Sequence, residues 1–180
     1  NPIKGTLYIP KEAIAFHPDA WIFLGCGADA IEVDEENPVF SSAYNCLLSK
    51  DGKTLIKVCK NSDISKLSNL ETIGRDAFSD LNEERGDFVL HIPEGVKTLN
   101  YRALAMNAQK VTITIPSSVQ KIGELAFMIY SDETHIIFEG DAELEIGAFG
   151  TEKEAEDSDY ELYKALPSIA YPKAETLIVS

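Results

Sequence analysis

The stretch "VTITIPSSVQKIGELAF", residues 111–127, decides how this chain is read. Its opening alternates apolar and polar residues, as a half-buried strand does. Pro116 removes a ladder donor and ends that strand. Ser117 and Ser118 make a corner, and Val119 and Ile122 turn a second apolar pair inward. Gly123 permits another bend, and Ala126 with Phe127 closes the unit, the phenyl ring being the large filler. A unit this short cannot bury its own apolar face, whereas stacked copies can.

The copies exist. A shift of 23 positions carries Ile92-Pro93 of "FVLHIPEGVKTLNYRAL" onto Ile115-Pro116, Val96 onto Val119, Leu99 onto Ile122 and Leu104 onto Phe127. A second shift of 23 brings Phe138 of "THIIFEGDAELEIGAF" onto Ile115, and Ala148-Phe149 matches after a one-residue deletion. Upstream, "SNLETIGRDAF" repeats "SSVQKIGELAF" nearly letter for letter, "TLYIP" stands near the start and "SIAYP" near the end. A period of about 23 residues with stacked strands predicts a solenoid.

These residues resemble a known family. "IPSSVQKIGELAF" and "LETIGRDAF" are similar to the unit of the BspA-type leucine-rich repeats. "IEVDEENPVFSSAYNCLLSKDGKTLIKVCK", residues 31–60, resembles a second element of that family, through Val33, Asn37, Pro38, Phe40, Ser41, Ser42, Leu47, Leu48, Thr54, Leu55 and Ile56. The likeness covers about residues 26–150 well and the ends weakly. It implies a mostly β, right-handed, leucine-rich-repeat-like solenoid with short helical turns, in a bacterial cell-surface or secreted protein similar to adhesins that bind host, matrix or other bacterial proteins. It brings no catalytic residue and no cofactor.

One domain is expected over residues 1–180: a divergent N-terminal coil (1–27), a long coil with a hairpin (28–61), regular repeats (62–150) and a capping repeat (151–180). Asp51-Gly52 is a good hairpin turn pair. Pairing about it sets Leu48 opposite Leu55, Leu47 opposite Ile56 and Cys46 opposite Lys57. A Cys46–Cys59 bridge then needs a shifted register, so Cys26, Cys46 and Cys59 read as free thiols. A short helix is expected over 158–165, after an acidic run at 152–157 that reads as a solvated loop, with cation binding as the rival. Trp21 is either a core plug of the first coil or an exposed anchor.

The net charge of −14 and pI near 4.5 disfavour nucleic acid as a partner. No apolar run approaches the ~18 residues of a membrane span. No hydrolase, zinc-peptidase or phosphate-loop motif appears. His17, His91 and His135 are the chain's only imidazoles, and the repeat sets the last two about two strands apart, too far to share a metal.

The outward strand positions are therefore the candidate site. One column runs Tyr8, Glu32, Ser65, His91, Thr114, Ile137 and Ala170; the other runs Thr6, Ala30, Asp63, Val89, Thr112, His135 and Ser168. Tyr8, Glu32, His91, Thr112, Thr114, His135 and Ile137 form the expected protein-binding face. The expected function is a non-enzymatic interaction module, the rivals being a structural spacer and an unrecognised hydrolase.

Overall fold

The computed structural model describes residues 5–15, 28–79, 81, 86–145, 147–149 and 176–179. His17, Trp21, Cys26, Ser168, Ala170, the acidic run 152–157 and the expected helix 158–165 lie outside the described residues. The fold is a β-solenoid. Three coils of it are regular. In the central one, the strand β10 (Lys110–Ile115) is followed by the short strands β11 (Lys121–Ile122) and β12 (Ile129–Tyr130), one on each side of the coil. Its neighbours repeat the scheme with β7 (Asp87–His91), β8 (Thr98–Leu99) and β9 (Met106–Asn107) before it, and β13 (Glu133–Phe138) and β14 (Glu143–Leu144) after it.

Register follows the repeat. Lys110 pairs with Asp87 and Glu133, and Thr114 with His91 and Ile137, all in parallel. Val111, Ile113 and Ile115 point into the core and are buried, while Thr112 and Thr114 stay half-exposed. Pro116 stops β10, and its carbonyl accepts from Val119 N at 3.1 Å to make the corner. The coils stack through Phe127, whose ring lies 6.2 Å from Phe138 edge-on and 4.9 Å from Phe149 face-on. Burying side chains of this size favours the stack by about 1.5–3 kcal/mol each.

The residue before each closing Ala adopts a left-handed backbone: Asp76, Arg102, Leu125 and Gly147 have φ of 54°, 53°, 54° and 75°. Leu125 adopts it although leucine is poorly suited, and its side chain is buried with Ala105 and Met128. Gly74 answers a different need. A Cβ there would stand 2.6 Å from the Leu55 carbonyl oxygen of the preceding coil.

The N-terminal part differs. β1 (Thr6–Ile9) and β2 (Ala30–Val33) pair in parallel as a separate two-stranded sheet. β3 (Phe40–Ala43), β4 (Cys46–Ser49) and β5 (Thr54–Val58) form an antiparallel meander. β6 (Thr72–Ile73) then joins β5 to β8. The result is one continuous seven-stranded sheet, β3-β4-β5-β6-β8-β11-β14. β15 (Thr176–Val179) pairs antiparallel with β13 and makes a four-stranded sheet β15-β13-β10-β7.

Two expectations are corrected here. Leu48 does face Leu55, but a bulge follows, so Leu47 pairs with Lys57 and Cys46 with Val58, in place of Ile56 and Lys57. The bulge seats Lys57 among buried groups, with Nζ donating to the Asp76 carbonyl (2.9 Å) and the Ser79 hydroxyl (2.6 Å). Cys46 and Cys59 remain thiols. Burial pushes the Cys46 thiol up to about 11. Second, Asp63 and Ser65 are not strand residues. Ser65 lies in a 3-10 turn, Ile64–Lys66, the one helical turn among the described residues, and Asp63 caps its N-terminus. The Asp63 carboxylate accepts from Ser65 N (3.2 Å) and Ser65 Oγ (2.5 Å), a local arrangement that competes with a strand ladder.

Asn37 explains the Asn-Pro of the long coil. It is fully buried, and its amide nitrogen donates to the Pro10 and Ala13 carbonyls, both at 2.9 Å. Its oxygen accepts from Val39 N and Phe40 N at 2.9 and 2.8 Å. One side chain thus ties the first coil to the second. Among the described residues no helix is long and apolar enough to cross a membrane.

Candidate interaction face

Strand alternation builds the face. With Leu90, Ile113 and Ile136 committed to the core, every second residue of β7, β10 and β13 faces outward. Pairing sets these residues in three rows: Asp87–Lys110–Glu133, Val89–Thr112–His135 and His91–Thr114–Ile137. Five of the expected residues, His91, Thr112, Thr114, His135 and Ile137, are therefore brought together on one sheet. Tyr8 and Glu32 are not part of it. They pair with each other on β1 and β2, in the separate two-stranded sheet.

The first row is a charge ladder that position counting left out of the site. Lys110 Nζ lies 3.0 Å from Glu133 Oε2, and His135 Nε2 meets Glu133 Oε1. The His135 contact, and then Lys110, hold the Glu133 carboxyl below its usual range. The signal was available, because Asp87, Lys110 and Glu133 recur at the same interval of 23 as the residues chosen. Val89 was counted onto the outer column but not chosen, and at 61% it is the most exposed large apolar residue described. The face thus offers charge along one border, an apolar and hydroxylated centre, and an imidazole with an isoleucine along the other border. At the edge formed by β15, backbone register sets Ile178 opposite His135 and Thr176 opposite Ile137.

Tyr8, on the other sheet, is 55% exposed. Its hydroxyl donates to Asp34 Oδ2 at 2.8 Å, which raises the Tyr8 pKa. The Asp34 carboxyl is lowered, first by the Glu36 backbone N–H and then by Tyr8. Among the described residues, no group of three or more His, Cys, Asp or Glu stands together to hold a metal.

Comparison with known proteins agrees with this repeat architecture. The model of the BspA type leucine rich repeat region matches residues 52–154, in six copies. No curated protein matches the chain. Among solved structures, the crystal structure of the pneumococcal vaccine antigen PcpA is similar at 19% identity and a TM-score of 0.49, over 71% of this chain and 35% of that one. The chain thus spans about a third of that chain's length. With more than half of its residues under the family model and its coils in the register the repeat requires, the chain belongs to the BspA-type leucine-rich-repeat family.

Proposed function

We propose that the chain is a non-enzymatic protein-interaction module that works at the bacterial cell surface or after secretion, and that it binds partner proteins through the outward face of β7, β10 and β13. The observation that carries this reading is the three-row register, which sets His91, Thr112, Thr114, His135 and Ile137 side by side on one parallel sheet. Family membership supports it, because stacked repeats present extended faces of this kind to partners. Tyr8 and Glu32 would make a second, smaller contact on β1 and β2.

The test is capture from a panel of immobilised extracellular-matrix proteins and bacterial surface extracts, comparing the native chain with Thr114→Glu/Ile137→Asp. These residues stand side by side on adjacent strands and point away from the core. The reading expects capture to fall about tenfold or more, since two carboxylates would be buried unpaired at the contact. Unchanged capture of every partner by a folded double variant overturns the face and favours a spacer.

A further inference from the structure

Among its described residues, the coil that follows the hairpin coil, 62–86, supplies no strand to the outward sheet. At the place where a strand should lie between β2 and β7 stands the 3-10 turn Ile64–Lys66. The loop that leads into it hydrogen-bonds away from β7: Lys60 N to the Ala28 carbonyl (3.4 Å), Asp63 N to the Tyr44 carbonyl (3.1 Å), and Asn61 Nδ2 to the Asp29 carbonyl (3.2 Å). On the opposite side, Ile92 N donates to the Thr114 carbonyl at 3.0 Å. Backbone groups of successive strand residues alternate sides, so Phe88, Leu90 and Ile92 serve β10. Asp87, Val89 and His91 then point their N–H and C=O groups toward the break. No backbone partner meets them there among the described residues.

A cleft of about 230 Å³ lies between the two sides. Its apolar wall includes Val58, Ile64, Phe78, Leu81 and Phe88, and Asp63 and His91 reach it from opposite sides. Asp87, next to the wall residue Phe88 on β7, is exposed with no ion pair among the described residues. The cations nearby are Lys60, on the wall, and Lys66, 3.0 Å from Asp63. The chain as a whole carries −14, which draws cationic segments toward it.

We propose that this cleft takes one extended basic segment of a partner protein, which adds to β7 as a strand. Backbone pairing with Val89 and His91 supplies the affinity. Alternate apolar side chains fill the cleft, and lysine or arginine residues between them meet Asp63 and Asp87. The proposal rests on the protein-binding reading above, but it concerns the edge of the sheet and not its face, so separate variants test the two.

The probe is a synthetic nine-residue peptide alternating valine and lysine, blocked at both ends, with an alternating valine–glutamate peptide beside it. Binding is followed by residue-resolved amide exchange of the whole chain. The valine–lysine peptide is expected to slow Val89 and His91 at least about tenfold and to bind about tenfold tighter than the glutamate peptide. Val89→Pro removes a donor on the cleft side only, leaves every β10 bond in place, and should weaken binding about tenfold with the thermal midpoint kept. Asp63→Lys/Asp87→Lys should reverse the peptide preference and serves if Val89→Pro does not fold. Absent protection of Val89 and His91 at millimolar peptide, or peptide preference unchanged by the charge reversal, overturns the proposal. Thr114→Glu/Ile137→Asp should leave peptide binding intact, so loss of partner capture in that variant alone indicts the face and not the cleft.

Discussion

The two long sheets of the solenoid meet the same irregular coil and respond differently. The seven-stranded sheet crosses it without interruption, because β5 pairs with β6 and the backbone continues across the seam: Glu71 N and Thr72 N donate to the Lys53 carbonyl (2.9 and 3.0 Å), Gly74 N to the Leu55 carbonyl (2.8 Å) and Val58 N to the Ala77 carbonyl (3.0 Å). The outward sheet breaks at the same level. Its four-stranded part ends at β7, and its two-stranded part is confined to β1 and β2. One side of a single coil is therefore a splice and the other an opening. The regular repeats give a rigid, closed stack. The coil after the hairpin gives up one strand position, and an unpaired sheet edge is the consequence, an edge that soluble proteins ordinarily cover.

The comparison breaks first in the core. Phe138→Ala removes a buried ring from the regular stack and should cost about 3–5 kcal/mol, whereas Ile64→Ala, beside the cleft, should cost about 2 kcal/mol, because Ile64 already borders open space. Chemical denaturation of the two variants measures the gap, and equal losses would deny that the two regions are packed differently. Asn37→Ala comes next, at about 3 kcal/mol, since it takes the amide donor from the Pro10 and Ala13 carbonyls of the first coil and the acceptor from two backbone amides, Val39 and Phe40, of the hairpin coil. Its effect should be regional: amides of β1 and β2 lose exchange protection while those of β10 keep it.

Gly74→Ala probes the splice. The new Cβ would press on the Leu55 carbonyl, a backbone atom, and should cost about 1–3 kcal/mol of overpacking, seen as a lower thermal midpoint. The smallest effect is electrostatic. Glu71 lies 2.8 Å from Lys53 across the seam and 2.9 Å from Lys97. Lys53 and then Lys97 lower its carboxyl from 4.5 to about 2. A carboxyl held below its unfolded value contributes stability above that value and loses it as pH falls through the folded one. Stability from Glu71 should therefore fade between pH 4.5 and about 2, and Glu71→Gln should flatten that part of the acid profile with little change near neutrality.

Much of the stack was legible in the sequence because alternation and a near-constant period act together. A slip of one residue in β10 would turn Val111, Ile113 and Ile115 outward, so their apolar character fixes the register with β7 and β13. The break was not legible by counting. Asp63 and Ser65 occupy the right numbers for a strand, but their short polar side chains bond to each other and to Ser65 N and turn the chain instead. The hairpin misled in the same way. Asp51-Gly52 sets the first pair, while the bulge that follows is decided by where the Lys57 ammonium finds acceptors, on Asp76 and Ser79 of the following coil. Repeats announce themselves in one dimension, and departures from them are settled by contacts between coils.

The most direct test of the open edge is residue-resolved amide exchange of the chain alone. The break predicts an alternation in β7, with Leu90 and Ile92 protected through β10 and Val89 and His91 exchanging fast, beside uniform protection of Thr112, Ile113 and Thr114 between their two neighbours. Val89 and His91 as slow as Ile113 and Thr114 would show that the edge is already paired and would contradict the account.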